Sequence, residues 1–95
     1  MPIWNVYIIT NKPKGILYIG MTNNLKRRIY QHKNKVHPST FSARYNLEKL
    51  VYFQSFEIEK DAKLKEKQMK KWNRDWKIEL IEKTNPNWID LFNDL

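Results

Sequence analysis

IWNVYIIT (residues 3–10) runs directly into NKPKG (residues 11–15) and then ILYI (residues 16–19). The outer segments are β-branched and aromatic and the middle one is turn chemistry, so the stretch reads as a β-hairpin. Gly20 ends the second strand. Thr22, Asn23 and Asn24 then offer side-chain oxygens to free backbone N–H groups, and Leu25 and Ile29 make an apolar pair one turn apart. That combination predicts a helix from about Asn24 to Lys35. Arg28 and His32 have the same spacing and share one face of that helix.

Working outward, His37-Pro-Ser-Thr-Phe-Ser reads as a loop, and Leu50 to Phe56 (LVYFQSF) as a third strand that pairs with the hairpin. Residues 59–73 are helical in pattern, with Ala62, Met69 and Trp72 on one face. Asp75 is read as the cap of a further helix to about Lys83 that buries Trp76, Leu80 and Ile81. Asn87 is read as the cap of a last turn carrying Trp88, Leu91 and Phe92. The predicted order is ββαβααα, an α+β fold with a small three-stranded antiparallel sheet and helices packed around it, in a single domain over residues 1–95. No repeat, linker or low-complexity stretch interrupts it.

The chain has 95 residues, is 41% hydrophobic and has no cysteine, which suits one folded domain and excludes disulfides, thiolate nucleophiles and cysteine-ligated metals. Neither a signal-peptide pattern nor a membrane-length apolar run is present, so the expectation is a soluble, cytoplasmic protein with no membrane partner. Lys and Arg number 18 against 10 Asp and Glu, a net charge of +8. All of the excess lies in residues 1–47, which hold eight bases and no acid, while residues 48–95 hold ten of each. Such asymmetry focuses a positive field on one surface and favours a polyanionic partner, nucleic acid first.

Two histidines, His32 and His37, cannot build a three-histidine zinc site, and the isolated Gly15 and Gly20 make no phosphate-cradling loop. Arg28 and His32 on one helical face, directly after a strand bearing Tyr18 and with Tyr7 on its partner, suit phosphodiester chemistry. A guanidinium can grip an anionic transition state while imidazole or phenol handles protons. Glu66, set among Lys63, Lys65, Lys67, Lys70 and Lys71, is a candidate ligand for a hard divalent cation beside bound phosphate. Its other reading is an ordinary helical ion pair with Lys70.

These residues carry a resemblance. Val6-Tyr7-Ile8, then Tyr18-Ile19-Gly20 with its tyrosine eleven positions after Tyr7, then Thr22, Asn24-Leu25 and Arg28, ten positions after Tyr18, resemble the GIY-YIG nuclease superfamily. His32 stands where many members have histidine. Glu66-Lys-Gln-Met-Lys-Lys-Trp72 and the stretch from Ile81 to Trp88 are similar to the small stand-alone bacterial proteins of that superfamily, and the likeness spans about residues 5–88. One departure is the first triplet, Val6-Tyr7-Ile8 in place of Gly-Ile-Tyr, although Tyr7 keeps its distance to Tyr18.

The resemblance implies an endonuclease that hydrolyses DNA phosphodiesters with one Mg²⁺ or Mn²⁺, in repair or recombination. By it, Tyr7 and Tyr18 are the motif tyrosines, Arg28 the transition-state arginine, His32 an auxiliary acid–base group and Glu66 the metal ligand. Asn85, with Asn87 as competitor, takes the place of an asparagine near the end of the domain. With no second DNA-binding module, low sequence specificity is expected, and DNA shape or a partner protein would select among duplex, nicked and branched substrates. Lys12, Lys14, Lys26, Arg27, Lys33, Lys35 and Arg44 are expected to ring the site and contact phosphates. Tyr45 is expected to pack in the core, a place beside the site being its other reading, and the four tryptophans are expected in the core or at its rim. A non-cleaving nucleic-acid-binding module of the same fold, acting through a partner, is the alternative function.

Overall fold

A computed structural model describes residues 3–95. The hairpin forms as its sequence dictates, with β1 (Trp4–Thr10) and β2 (Leu17–Thr22) antiparallel and Tyr7 opposite Gly20. β3 (Lys49–Phe56) pairs antiparallel with the other side of β1, which gives the sheet order β2-β1-β3. A bulge between Ile8 and Ile9, opposite Tyr52 and Leu50, shifts the β1–β3 register. As the middle strand, β1 is buried on both faces, which explains its nearly unbroken run of apolar residues.

The two faces carry separate cores. Val6, Ile8, Ile19 and Val51 meet Ala62 and Met69 of α3 (Glu59–Lys71) and Ile81 of α4 (Arg74–Thr84). On the opposite face Tyr7, Ile9 and Leu50 meet Leu47 and the buried side of α1 (Leu25–Lys33). Alternation along β1 therefore puts Tyr7 on the α1 side and its neighbours Val6 and Ile8 on the α3 side.

α1 begins at the anticipated cap. The Asn24 side-chain oxygen accepts from Arg27 N at 3.2 Å, and Thr22 Oγ1 accepts from Asn24 N at 3.1 Å. The helix ends two residues earlier than expected, with Asn34 as its C-cap. The segment expected to be a loop contains a one-turn helix, α2 (Phe41–Arg44), capped by Thr40, so the helical order becomes ββααβαα followed by a 3-10 turn at Leu91–Asp94.

Three assignments near the C-terminus differ from expectation. Asn73, not Asp75, caps α4, its side chain accepting from Trp76 N at 2.9 Å. Trp76 is not buried but 56% exposed, because α4 turns Ile81 into the core and leaves Trp76 on a different face, where its ring meets Trp72 edge-on at 6.2 Å. The last turn is capped by Asp90 and not by Asn87. The Asp90 carboxylate accepts from Phe92 N at 3.0 Å and from Leu50 N at 3.2 Å, which ties the end of the chain to β3. Trp88 lies before that turn with a left-handed φ of 55° and is buried, its indole N–H donating to Glu82 at 2.8 Å.

Candidate active site

β2 is an edge strand, and its Gly20 decides how the site is built. A methyl group on Gly20 would stand 2.5 Å from Tyr7 Oη and 2.6 Å from Tyr7 Cζ. Glycine here serves close approach, letting the Tyr7 ring lie across β2. The ring is only 2% exposed, and its hydroxyl lies 3.1 Å from His32 Nε2. α1 brings His32 there because Leu25 and Ile29 fix the buried side of the helix and His32 follows Ile29 by three residues. The Tyr18 ring meets the same imidazole edge-on at 6.1 Å.

His32 Nδ1 is 3.0 Å from the hydroxyl of buried Ser42, on α2. Tyr18, Arg28, His32, Lys35, His37 and Ser42 line a cleft of about 150 Å³. A second hollow of about 320 Å³, lined by Thr22, Asn23, Asn24 and Arg27, shares Arg28, Gln31 and His37 with the first. Arg28 therefore stands where the two meet.

Burial, then the neighbouring Tyr18, push the Tyr7 phenol above its ordinary pKa; Arg28 opposes the rise and Glu66 adds to it. Burial, then the charges of Arg28 and His37, lower His32 from 6.5 to about 4. At neutral pH both groups are uncharged, with the imidazole free to accept a proton through one nitrogen.

Glu66 on α3 is 20% exposed and 3.4 Å from Lys70 Nζ, the helical ion pair that its spacing allows. Its charge is nonetheless felt at Tyr7. Among the described residues no three His, Asp or Glu cluster as ligands. A single carboxylate completed by water and substrate phosphate is nevertheless a donor set that Mg²⁺ accepts, so Glu66 fits the one-ion expectation.

The structure brings Tyr7, Tyr18, Arg28 and His32 together; it does not bring all the others. Asn85 is buried, with Nδ2 donating to Val51 O at 3.2 Å and Ile89 O at 2.8 Å while Oδ1 accepts from Ile89 N at 2.9 Å. That amide is committed to holding the chain after α4 against β3. Lys33 is ion-paired to Asp90 and sits 5.2 Å over the Phe92 ring, so it secures α1 and is not a free phosphate contact. Lys12 and Lys14 lie on the hairpin turn, where the Arg74 guanidinium grips the carbonyls of Lys14 and Gly15, and they line neither hollow. Lys26, Arg27 and Arg44 are exposed. Lys35 reaches the first cleft while donating to Asn46 at 2.6 Å. Tyr45 is exposed against Phe41, not packed in the core.

The sequence does not mark Ser42 and Thr40 as site residues, because their segment reads as a loop. The signal available was Thr40 standing before Phe41-Ser-Ala-Arg44, a cap ahead of a short helix.

The family model of the GIY-YIG catalytic domain matches residues 3–79. The UPF0213 protein CPE1444 of Clostridium perfringens is 41% identical over 76 residues, 80% of each chain. A UPF0213 protein from the VLF1-GP41 intergenic region of Autographa californica nuclear polyhedrosis virus is 34% identical over 82 residues, 84% of this chain and 77% of that one. The solution structure of the UPF0213 protein BH0048 from Bacillus halodurans has a similar fold, with a TM-score of 0.57 at 23% identity over 93% of this chain and 92% of that one. With Tyr7 as the tyrosine of Gly-Ile-Tyr, the corresponding triplet is Asn5-Val6-Tyr7, so the tyrosine is not displaced. Asn5 stands in place of the glycine, and its Oδ1 accepts from Ser55 Oγ at 2.7 Å.

Proposed function

The chain belongs to the GIY-YIG catalytic-domain family, and from that premise we propose that it is a metal-dependent endonuclease. It hydrolyses DNA phosphodiesters by shape more than by sequence, in repair or recombination, with a partner protein refining the choice of site. The observation that carries this reading is the Tyr7 hydroxyl held on His32 Nε2 in the same site as Tyr18 and Arg28.

The chemistry follows from the protonation states. A buried phenol does not ionise near neutrality, so Tyr7 can take a proton from the attacking water only while passing its own to a base. Neutral His32 is that base. The water oxygen then bonds to phosphorus, the bond to the leaving oxygen breaks, that oxygen takes a proton from solvent water, and His32 returns the proton it received to solvent. Arg28 offers a two-pronged guanidinium to the phosphorane oxygens, and the Tyr18 hydroxyl offers a further donor. Glu66 would hold a Mg²⁺ or Mn²⁺ ion, which supplies neutralisation of phosphate charge. Lys26, Arg27 and Arg44 position the duplex through its phosphates.

The test is a labelled panel of duplex, nicked, flapped, forked and single-stranded DNA with Mg²⁺, Mn²⁺ or EDTA, using the wild type, Glu66→Ala and Tyr7→Phe. Metal-dependent cleavage of a preferred shape, abolished in both variants, is expected. Salt-sensitive binding with no cleavage in any arm overturns the enzyme in favour of a binding module.

A further inference from the structure

His32 uses both ring nitrogens, Nε2 with the Tyr7 hydroxyl at 3.1 Å and Nδ1 with the Ser42 hydroxyl at 3.0 Å. Only one nitrogen of a neutral imidazole carries hydrogen, and these two contacts alone do not say which. The far end of the chain of contacts decides. Ser42 Oγ is 3.3 Å from Thr40 Oγ1, and Thr40 Oγ1 is 2.8 Å from the carbonyl oxygen of His37. A carbonyl only accepts, so the Thr40 hydroxyl donates to His37. Its hydrogen thus spent, Thr40 is an acceptor for Ser42, and Ser42 donates to it. Ser42 then has only lone pairs left for His32, so Nδ1 carries the hydrogen and Nε2 is bare. The Tyr7 hydroxyl donates to that bare nitrogen. Every contact is satisfied in this order, whereas the opposite tautomer leaves the Ser42–Thr40 contact without a hydrogen.

We propose that Ser42 and Thr40 are positioning residues that lock His32 in its Nδ1–H tautomer and so make Nε2 the acceptor for the Tyr7 proton. The role of that acceptor rests on the nuclease reading above, while the tautomer itself does not. Both act through His32, Ser42 by its contact with Nδ1 and Thr40 by its contact with Ser42. Ser42 is 5% exposed, and Thr40 both caps α2 and ends the relay. The device couples the fold of a one-turn helix to the direction in which a proton leaves Tyr7. In the other tautomer Nε2–H donates to the phenol oxygen and the Tyr7 proton has no base to receive it.

The test is long-range ¹⁵N–¹H correlation of the histidine rings at neutral pH, on the wild type, Ser42→Ala, Ser42→Thr and Thr40→Ala. The wild type is expected to show Nδ1 protonated and Nε2 bare. Ser42→Ala removes the acceptor, and Thr40→Ala frees the Ser42 hydroxyl to donate to Nδ1, so both shift His32 to the Nε2–H form, while Ser42→Thr retains the wild-type form. Thr40 is exposed, so its variant serves if the buried substitution fails to fold. On a DNA substrate that the wild type cleaves, kcat falls at least about tenfold in both alanine variants with KM unchanged, and Ser42→Thr restores it. An Nε2–H tautomer in the wild type, or an unshifted tautomer in either alanine variant, overturns the proposal. Absence of cleavage with the expected tautomers refutes the nuclease reading alone.

Discussion

Gly20→Ala is the smallest change that tests how the site is assembled. The added methyl arrives 2.5 Å from Tyr7 Oη and 2.6 Å from Cζ, so the ring must swing off β2 and away from His32. Crowding a packed position costs about 1–3 kcal/mol, and the lost hydrogen bond about 1 kcal/mol more. Reduced freedom of the unfolded chain returns about 0.4–1 kcal/mol. The net loss is about 2 kcal/mol, a fall in Tm of roughly 8–16 °C for a domain this small. Circular dichroism melts of Gly20→Ala, Tyr7→Leu and the double variant form a cycle. With the shorter leucine in place the three Tyr7 ring atoms nearest the methyl are gone, so Gly20→Ala is expected to cost less than about 0.5 kcal/mol in that background. An equal Tm loss in both backgrounds would refute the argument, because the clash would then not be with Tyr7.

Other perturbations read out the rest of the structure. Since His32 titrates at about 4 when folded against 6.5 when unfolded, the unfolded chain binds more protons between those values, and stability falls as pH drops from 6.5 to about 4. Were the ring fully desolvated the loss would be about 3 kcal/mol; half-buried, it is about 1.5 kcal/mol, and urea titrations of wild type and His32→Gln across that window measure it, a parallel pair of curves contradicting the assignment. Asp90→Ala orphans Leu50 N and Phe92 N as well as Lys33, so it is expected to cost about 2 kcal/mol against less than about 1 for Lys33→Ala; equal costs would mean that the ion pair alone matters. If four to six phosphates are contacted, duplex affinity falls with a log–log salt slope of about −4 to −5, and a flat dependence in a binding titration would remove nucleic acid as the partner.

What could be read from the sequence was local. The hairpin announces itself in turn chemistry between two β-branched runs, α1 in the Asn24 cap and the Leu25–Ile29 pair, and the meeting of Tyr7, Tyr18, Arg28 and His32 follows from strand pairing and helical spacing. Several of the failures have one of two causes: side chains whose partners lie far away, or a helix that carries more than one apolar face. Asp90 is 57 residues from Lys33 and 40 from Leu50, and no spacing rule connects them. In α4, Trp76 and Leu80 form one apolar stripe and Ile78 and Ile81 another, so periodicity alone does not say which turns inward; Ile81 does, and Trp76 is left outside. Asn85 looks like a site residue until its amide is seen bonded to three backbone groups.

The tie between Lys33 and Asp90 also gives the molecule an order of events. The helix bearing Arg28 and His32 is made early in synthesis, yet the carboxylate that anchors its last turn is made late. Asp90 is added 57 residues after Lys33, when residues 4–56, which form the whole sheet, have already been joined. Until Asp90 is added, the helix that carries Arg28 and His32 has no carboxylate to anchor its last turn, which separates the synthesis of these residues from the fixing of their helix.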